Sequence, residues 1–142
     1  MQSSYKNPWV LNNKPLESED IKDYVGMVYL ITNKINNRKY IGKKFFWSKR
    51  KLPPLKGKTR KRTKIVESNW KDYWGSSTLL LEDIDKHGHV NFDRYVLELC
   101  YTKTQCAYYE MKYQIDREAI LSEEYYNDFI GGKISGKNLE KL

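Results

Sequence analysis

No stretch of this 142-residue chain approaches the roughly 20 consecutive apolar residues of a membrane-spanning helix, which excludes a helical transmembrane protein. The first twenty residues, MQSSYKNPWVLNNKPLESED, contain no apolar signal core. A secreted protein is therefore not expected, and the expected compartment is the cytoplasm. Cysteine is scarce, and Cys100 and Cys106 are too few for a disulfide framework. With His87 and His89 they fit no common zinc site, because the C-x-x-C element is missing; two buried thiols are expected. Internal repeats and low-complexity tracts are also lacking. What is present is enough apolar matter for a core: 39% hydrophobic and 14% aromatic residues, despite a mean hydropathy of −0.81. The length suits one domain, and wholesale disorder is excluded.

Acidic residues are missing from one part of the chain. Between Lys34 and Lys71 stand fifteen Lys and Arg and a single acid, Glu67, while the remainder holds eleven basic and seventeen acidic residues. The formal charge of +8 is therefore a strongly basic band on a mildly acidic protein. A solubilising surface intersperses both signs, whereas a segregated band is the footprint of a polyanion partner. The band is densest over Lys49, Arg50, Lys51, Lys56, Lys58, Arg60, Lys61, Arg62 and Lys64, with Lys43 and Lys44 just upstream. Pro53, Pro54 and Gly57 interrupt it, so it reads as a mobile loop gripping nucleic acid. A solvated charged loop or a localisation signal is the plainer alternative.

Residues 1–24 read as an irregular lead-in with one short helical turn, a 24-residue N-terminal extension. Val25–Thr32 is β-branched and aromatic, a strand; after a turn at Asn33–Asn37, Arg38–Lys43 returns as the second strand of a hairpin. Lys44–Arg50 is expected to start a helix that ends before Pro53. Ser76 or Ser77 caps a helix over Thr78–His87 that buries Leu79, Leu80 and Ile84, and Gly88 stops it. Phe92–Cys100 is the third strand, and the capping box at Thr102 and Gln105 opens a helix running to about Leu121. On that helix Tyr108, Met111, Ile115 and Ala119 form the expected core stripe. Cys106, Glu110 and Tyr113 form a second face, where a glutamate is either partly exposed or held near a cation. The expectation is α/β (α+β): a small, mainly antiparallel three-stranded sheet flanked by helices. It occupies 25–130 with a basic loop insertion at 51–69, and 131–142 form a short tail with glycines at Gly131, Gly132 and Gly136.

The hairpin carries Gly26-Met27-Val28-Tyr29 and, eleven residues after that tyrosine, Tyr40-Ile41-Gly42. Two tyrosines on paired strands are ordinary by themselves. Their order and spacing, however, resemble the GIY-YIG nuclease family: the second motif matches to the letter, and Met27-Val28 replaces Gly-Ile in the first. Arg50, eight residues after Gly42, falls where the family has its helix arginine. Glu110 falls where it has a metal-binding glutamate, and Tyr126-Asn127 where it has Tyr-Asn. Trp70, Tyr73, Trp74, Gly75, Ser76 and Ser77 resemble phage members of the homing-endonuclease branch.

The resemblance implies a divalent-metal-dependent endonuclease acting on DNA, with Mg2+ or Mn2+ on Glu110 and Arg50 offsetting charge on the phosphate. It implies Tyr29 as general base, its phenolate favoured by Lys43, Tyr40 orienting water or phosphate, and Asn127 supporting the site. Where the family often has His or Tyr four residues after the arginine, this chain has Pro54, and Tyr73 is the candidate replacement. Read without the resemblance, Arg50 is one more charge in the band, Glu110 half of an ion pair, and Asn127 a turn cap. Two other functions fit the same residues: a non-catalytic DNA-binding module, and a nuclease for RNA or branched substrates. The expected partner is double-stranded DNA. A single site cuts one strand, so double-strand cleavage requires a homodimer or two visits.

Overall fold

A computed structural model describes residues 3–128 and 130. The glycine-containing tail expected at 131–142 lies outside the described residues. None of the described helices is long and apolar enough to cross a membrane.

The three expected strands form the centre of the sheet. β3 (Gly26–Asn33) lies between β4 (Lys39–Phe45) and β7 (Phe92–Cys100), antiparallel to both. The sheet is larger than expected, because the lead-in joins it. β1 (Val10–Leu11) pairs parallel to β7 and antiparallel to β2 (Lys14–Pro15), which makes five strands in the order β2-β1-β7-β3-β4. Strands of two residues are too short to show alternation. What ties this segment down is burial: Trp9, Leu16 and Ile21 are all in the main core with Met27, Tyr29, Ile31, Phe46 and Trp70. The Trp9 indole N–H donates to the Trp70 carbonyl at 2.7 Å.

Between β4 and the first helix the structure departs from the sequence reading. Lys44–Arg50 is not helical; β5 (Trp47–Leu52) and β6 (Arg62–Glu67) form a separate two-stranded ribbon. The expected loop is thus largely a hairpin. Thr63, Ile65 and Val66 supply a strand-forming partner, and Phe46, fully buried, leaves no helical start after β4. Only Pro53–Lys61 is loop, turned at Gly57 with φ +80.

Helix α1 (Thr78–His87) has the expected bounds: the Ser77 side chain accepts from the Leu80 amide, and Gly88 ends it at φ +87. Leu80 and Ile84 are buried, but Leu79 is exposed. Helix α2 (Lys103–Asp116) is shorter than expected, ending before Glu118, whose φ of +51 breaks it; Ala119 is buried in the 3-10 turn that follows. Its faces are also reversed. Ile115 is exposed, while Cys106 and Gln114 are buried and Tyr109 and Tyr113 pack on the cluster of Val28, Ile41, Cys100 and Cys106. The polar positions turn inward because β4 is an edge strand whose backbone groups need partners.

Candidate active site

The outer edge of β4 is covered residue by residue. The Lys39 amide donates to Glu124 and its carbonyl accepts from Tyr126, each at 2.7 Å, so the segment after α2 begins a pairing with β4. At Ile41, backbone pairing gives way to side chains. The Ile41 N–H donates to Asn127 Oδ1 at 3.0 Å, and its carbonyl accepts from Asn127 Nδ2 at 2.8 Å and Gln114 Nε2 at 3.1 Å. Asn127 thus substitutes for a strand, and both ends of its amide are spent. One α2 turn before Gln114 stands Glu110, beside Lys43.

The Lys43 ammonium lies 3.5 Å from Glu110 Oε1, and the two side chains are 35% and 17% exposed. Burial raises the Glu110 carboxyl above its ordinary value, and Lys43 opposes this through both its ammonium and its backbone N–H. The expectation of a glutamate held near a cation is met by this pair. Among the described residues no three His, Cys, Asp or Glu side chains form a metal-binding group. Glu110 is the carboxylate here that would hold a cation. That suits a small hard cation such as Mg2+, which keeps several waters.

Tyr29 and Tyr40 come from β3 and β4. Tyr29 pairs across the sheet with Gly42, and in an antiparallel pair the two share a face. A Cβ at Gly42 would lie 2.4 Å from the Tyr29 hydroxyl and 3.0 Å from the Tyr40 ring. Only glycine lets the Tyr29 ring cross this point, which gives the third letter of Tyr40-Ile41-Gly42 a steric reason. The Tyr29 ring lies 6.2 Å from Tyr40 and 6.1 Å, edge-on, from Tyr73. Burial pushes the Tyr29 phenol well above the ordinary tyrosine value, with Tyr40, Tyr73 and Glu110 adding to the rise. Tyr40 is also raised, chiefly by burial and partly offset by its hydrogen bond with Ser76 at 3.4 Å. The Glu110 charge adds a lesser part to the rise of both phenols, behind their burial.

The cations arrange themselves differently from the sequence expectation. Lys43 faces Glu110 across the α2 side of β4, while Lys44, next along the strand, stacks on Tyr73 at 4.3 Å and has its ammonium pKa lowered by burial. No cation depresses Tyr29, so the phenolate is not favoured in this arrangement. Arg50 is exposed on β5 opposite Lys64 and makes no hydrogen bond or ion pair with Tyr29, Tyr40, Lys43 or Glu110. The structure groups Tyr29, Tyr40 and Tyr73 over Gly42 on one face of the β3–β4 hairpin, pairs Lys43 with Glu110 on its α2 side, ties Asn127 to Ile41, and leaves Arg50 on the ribbon.

Four contributors went unassigned or half-assigned in the sequence, all within Trp70–Ser77. Tyr73, named as a replacement for the residue at Pro54, does stand against Tyr29. Gly75, at φ +94, passes close to both tyrosines, and Ser76 meets Tyr40. Trp74 stacks at 4.2 Å on Arg94, a buried guanidinium that also stacks on Trp9 at 4.5 Å. Arg94 donates to the carbonyls of Asn7 and Tyr73, and desolvation lowers its pKa to about 10. The signal was the motif; what it lacked was a role for each residue.

The two thiols are buried, on β7 and α2, as expected. Comparison with protein-family models gives a match to "Putative endonuclease segE, GIY-YIG domain" over residues 9–130. Neither curated proteins nor solved structures give a match. The matched span begins at Trp9 and ends just past Asn127, so it takes in the core tryptophan, both tyrosine strands, the ribbon and the edge of β4. With most of its length covered, and with Tyr29 and Tyr40 packed over Gly42 on the β3–β4 hairpin, this chain belongs to the GIY-YIG endonuclease domain family.

Proposed function

We propose that this chain is a divalent-metal-dependent endonuclease that hydrolyses DNA phosphodiester bonds at the β4 edge. The observation that supports this best is the packing of Tyr29 and Tyr40 over Gly42, with the Lys43–Glu110 pair at the next residue of β4, in a chain of nuclease family membership. Glu110 would hold Mg2+ or Mn2+, which would supply Lewis-acid stabilisation of phosphoryl and leaving-group charge. Lys43 and Lys44 offset the negative charge of the substrate, taking the part expected of Arg50, which grips the duplex from the ribbon. Tyr40 donates to a phosphoryl oxygen or to water. Asn127 positions the strand and touches no reactant.

Tyr29 accepts the proton of the attacking water. Because its phenol titrates well above 10, only a small fraction is phenolate at neutral pH. Each pH unit below the pKa costs tenfold in that fraction, so the rate rises about tenfold per unit through the alkaline range without a plateau below pH 10. A flat profile assigns Tyr29 to positioning instead.

The test follows a supercoiled plasmid in Mg2+, scoring nicked and linear products over time. Glu110→Ala is expected to abolish cleavage and retain DNA binding; cleavage that survives the substitution or needs no metal refutes the reading. The placement of Arg50 outside the centre favours the alternative of a DNA-binding module without catalysis, in which wild type binds and never cuts.

A further inference from the structure

The β5–β6 ribbon is built at a cost to its own stability. Among the described residues its strands pair only with each other, and an isolated two-stranded ribbon is marginal in water. Cross-strand partners share a face, which puts Arg50 opposite Lys64 and Leu52 opposite Arg62. Like charges directly opposite each other are destabilising, and among the described residues no carboxylate forms an ion pair with Arg50, Arg62 or Lys64. The root, by contrast, is firmly held. Trp47 Nε1 donates to the Tyr24 carbonyl at 2.8 Å, Ser68 donates to the carbonyls of Phe45 and Phe46, and Trp70 Nε1 donates to Glu67 at 2.9 Å. A rigidly mounted element with unneutralised positive charge needs a polyanion to complete it.

Its shape narrows the choice. Two strands about 4.8 Å apart, with side chains on either side, match a groove of about 12 Å, which admits such a ribbon, more closely than one of about 6 Å. Building on the reading of the chain as a DNA endonuclease, we infer that the β5–β6 ribbon inserts into the major groove of duplex DNA, the face bearing Arg50, Arg62 and Lys64 turned toward the base edges. Arginine and lysine there meet guanine O6 and N7. The deep, narrow major groove of A-form RNA is closed to such a ribbon. Since β5 follows β4 after the single residue Phe46, the groove contact fixes which phosphodiester meets Tyr40 and Glu110.

The experiment measures binding of the full chain to a fluorescent DNA duplex, with competition by methyl green in the major groove and netropsin in the minor groove. Methyl green is expected to displace the protein and netropsin to leave it bound. Arg62→Gln/Lys64→Gln is expected to bind about tenfold or more weakly and to melt at a higher temperature than wild type, because the like-charge contact is gone. Displacement by netropsin alone, equally tight binding of duplex RNA, unchanged affinity of the variant, or a lower melting temperature each overturns the inference. Plasmid cleavage by wild type, scored separately, leaves the nuclease reading standing in those cases. A wild type that neither binds nor cuts duplex overturns both.

Discussion

Replacing Asn127 by alanine removes the amide that stands in for a missing strand. The Ile41 N–H then loses its partner at 3.0 Å inside a region where Ile41 is fully buried and Asn127 only 8% exposed. The Ile41 carbonyl keeps Gln114 Nε2 at 3.1 Å, so one group is stranded rather than two. An unsatisfied buried N–H costs about 1–3 kcal/mol, and we take the middle of that range, about 2. For a domain of this length each kcal/mol moves the midpoint by roughly 4 °C, so the expected fall is about 8 °C. Asn127→Asp retains the acceptor but sets an oxygen against the Ile41 carbonyl in place of a donor at 2.8 Å, so it costs at least as much. Gln114→Ala costs less, because Asn127 still serves the carbonyl. Thermal melts followed by circular dichroism give the ranking, with plasmid cleavage measured well below each midpoint. If Asn127→Ala melts within about 2 °C of wild type yet cannot cut, the reasoning fails and Asn127 acts in the chemistry.

Gly42→Ala forces a methyl group against the Tyr29 hydroxyl at 2.4 Å, an overpacking expected to cost about 1–3 kcal/mol and to abolish cleavage. Adding Tyr29→Phe is expected to restore part of the melting temperature and none of the activity; full restoration of activity counts against the tyrosine site. For Glu110, burial raises the carboxyl in the folded state, so its contribution favours folding below the ordinary carboxyl value and is lost as pH rises through the higher folded value. Glu110→Gln is therefore expected to melt above wild type at neutral pH, the difference vanishing in acid. A variant less stable at neutral pH shows that the Lys43 pair outweighs the burial.

Much of the fold was legible because local and tertiary signals agreed. Phe92–Cys100 has β-branched and aromatic residues in alternation, and its bounds as a strand are those expected. α1 was bracketed by Ser77 and Gly88, whose capping roles do not depend on the rest of the chain. The face of α2 was not legible. Periodicity marks Tyr108, Met111 and Ile115 as an apolar stripe, but what α2 meets is an edge strand with open backbone groups. Gln114 and Glu110 serve that edge better than Met111 and Ile115 do, and hydrophobic pattern carries no information about it.

Arg50 shows how residue spacing differs from reach. Eight residues separate it from Gly42. In a helix that distance is about 12 Å and folds back beside the sheet, whereas in extended chain it approaches 26 Å and leads away. The resemblance supplied the count but not the conformation, and Trp47–Leu52 is a strand. What remains beside the tyrosines is Lys43 and Lys44, consecutive on β4 and therefore on opposite faces of it. One meets the carboxylate and the other the aromatic cluster, so the edge of a single strand brings positive charge to both halves of the site. With Arg50 out on the ribbon, Lys43 and Lys44 are the cations that stay beside the β4 edge.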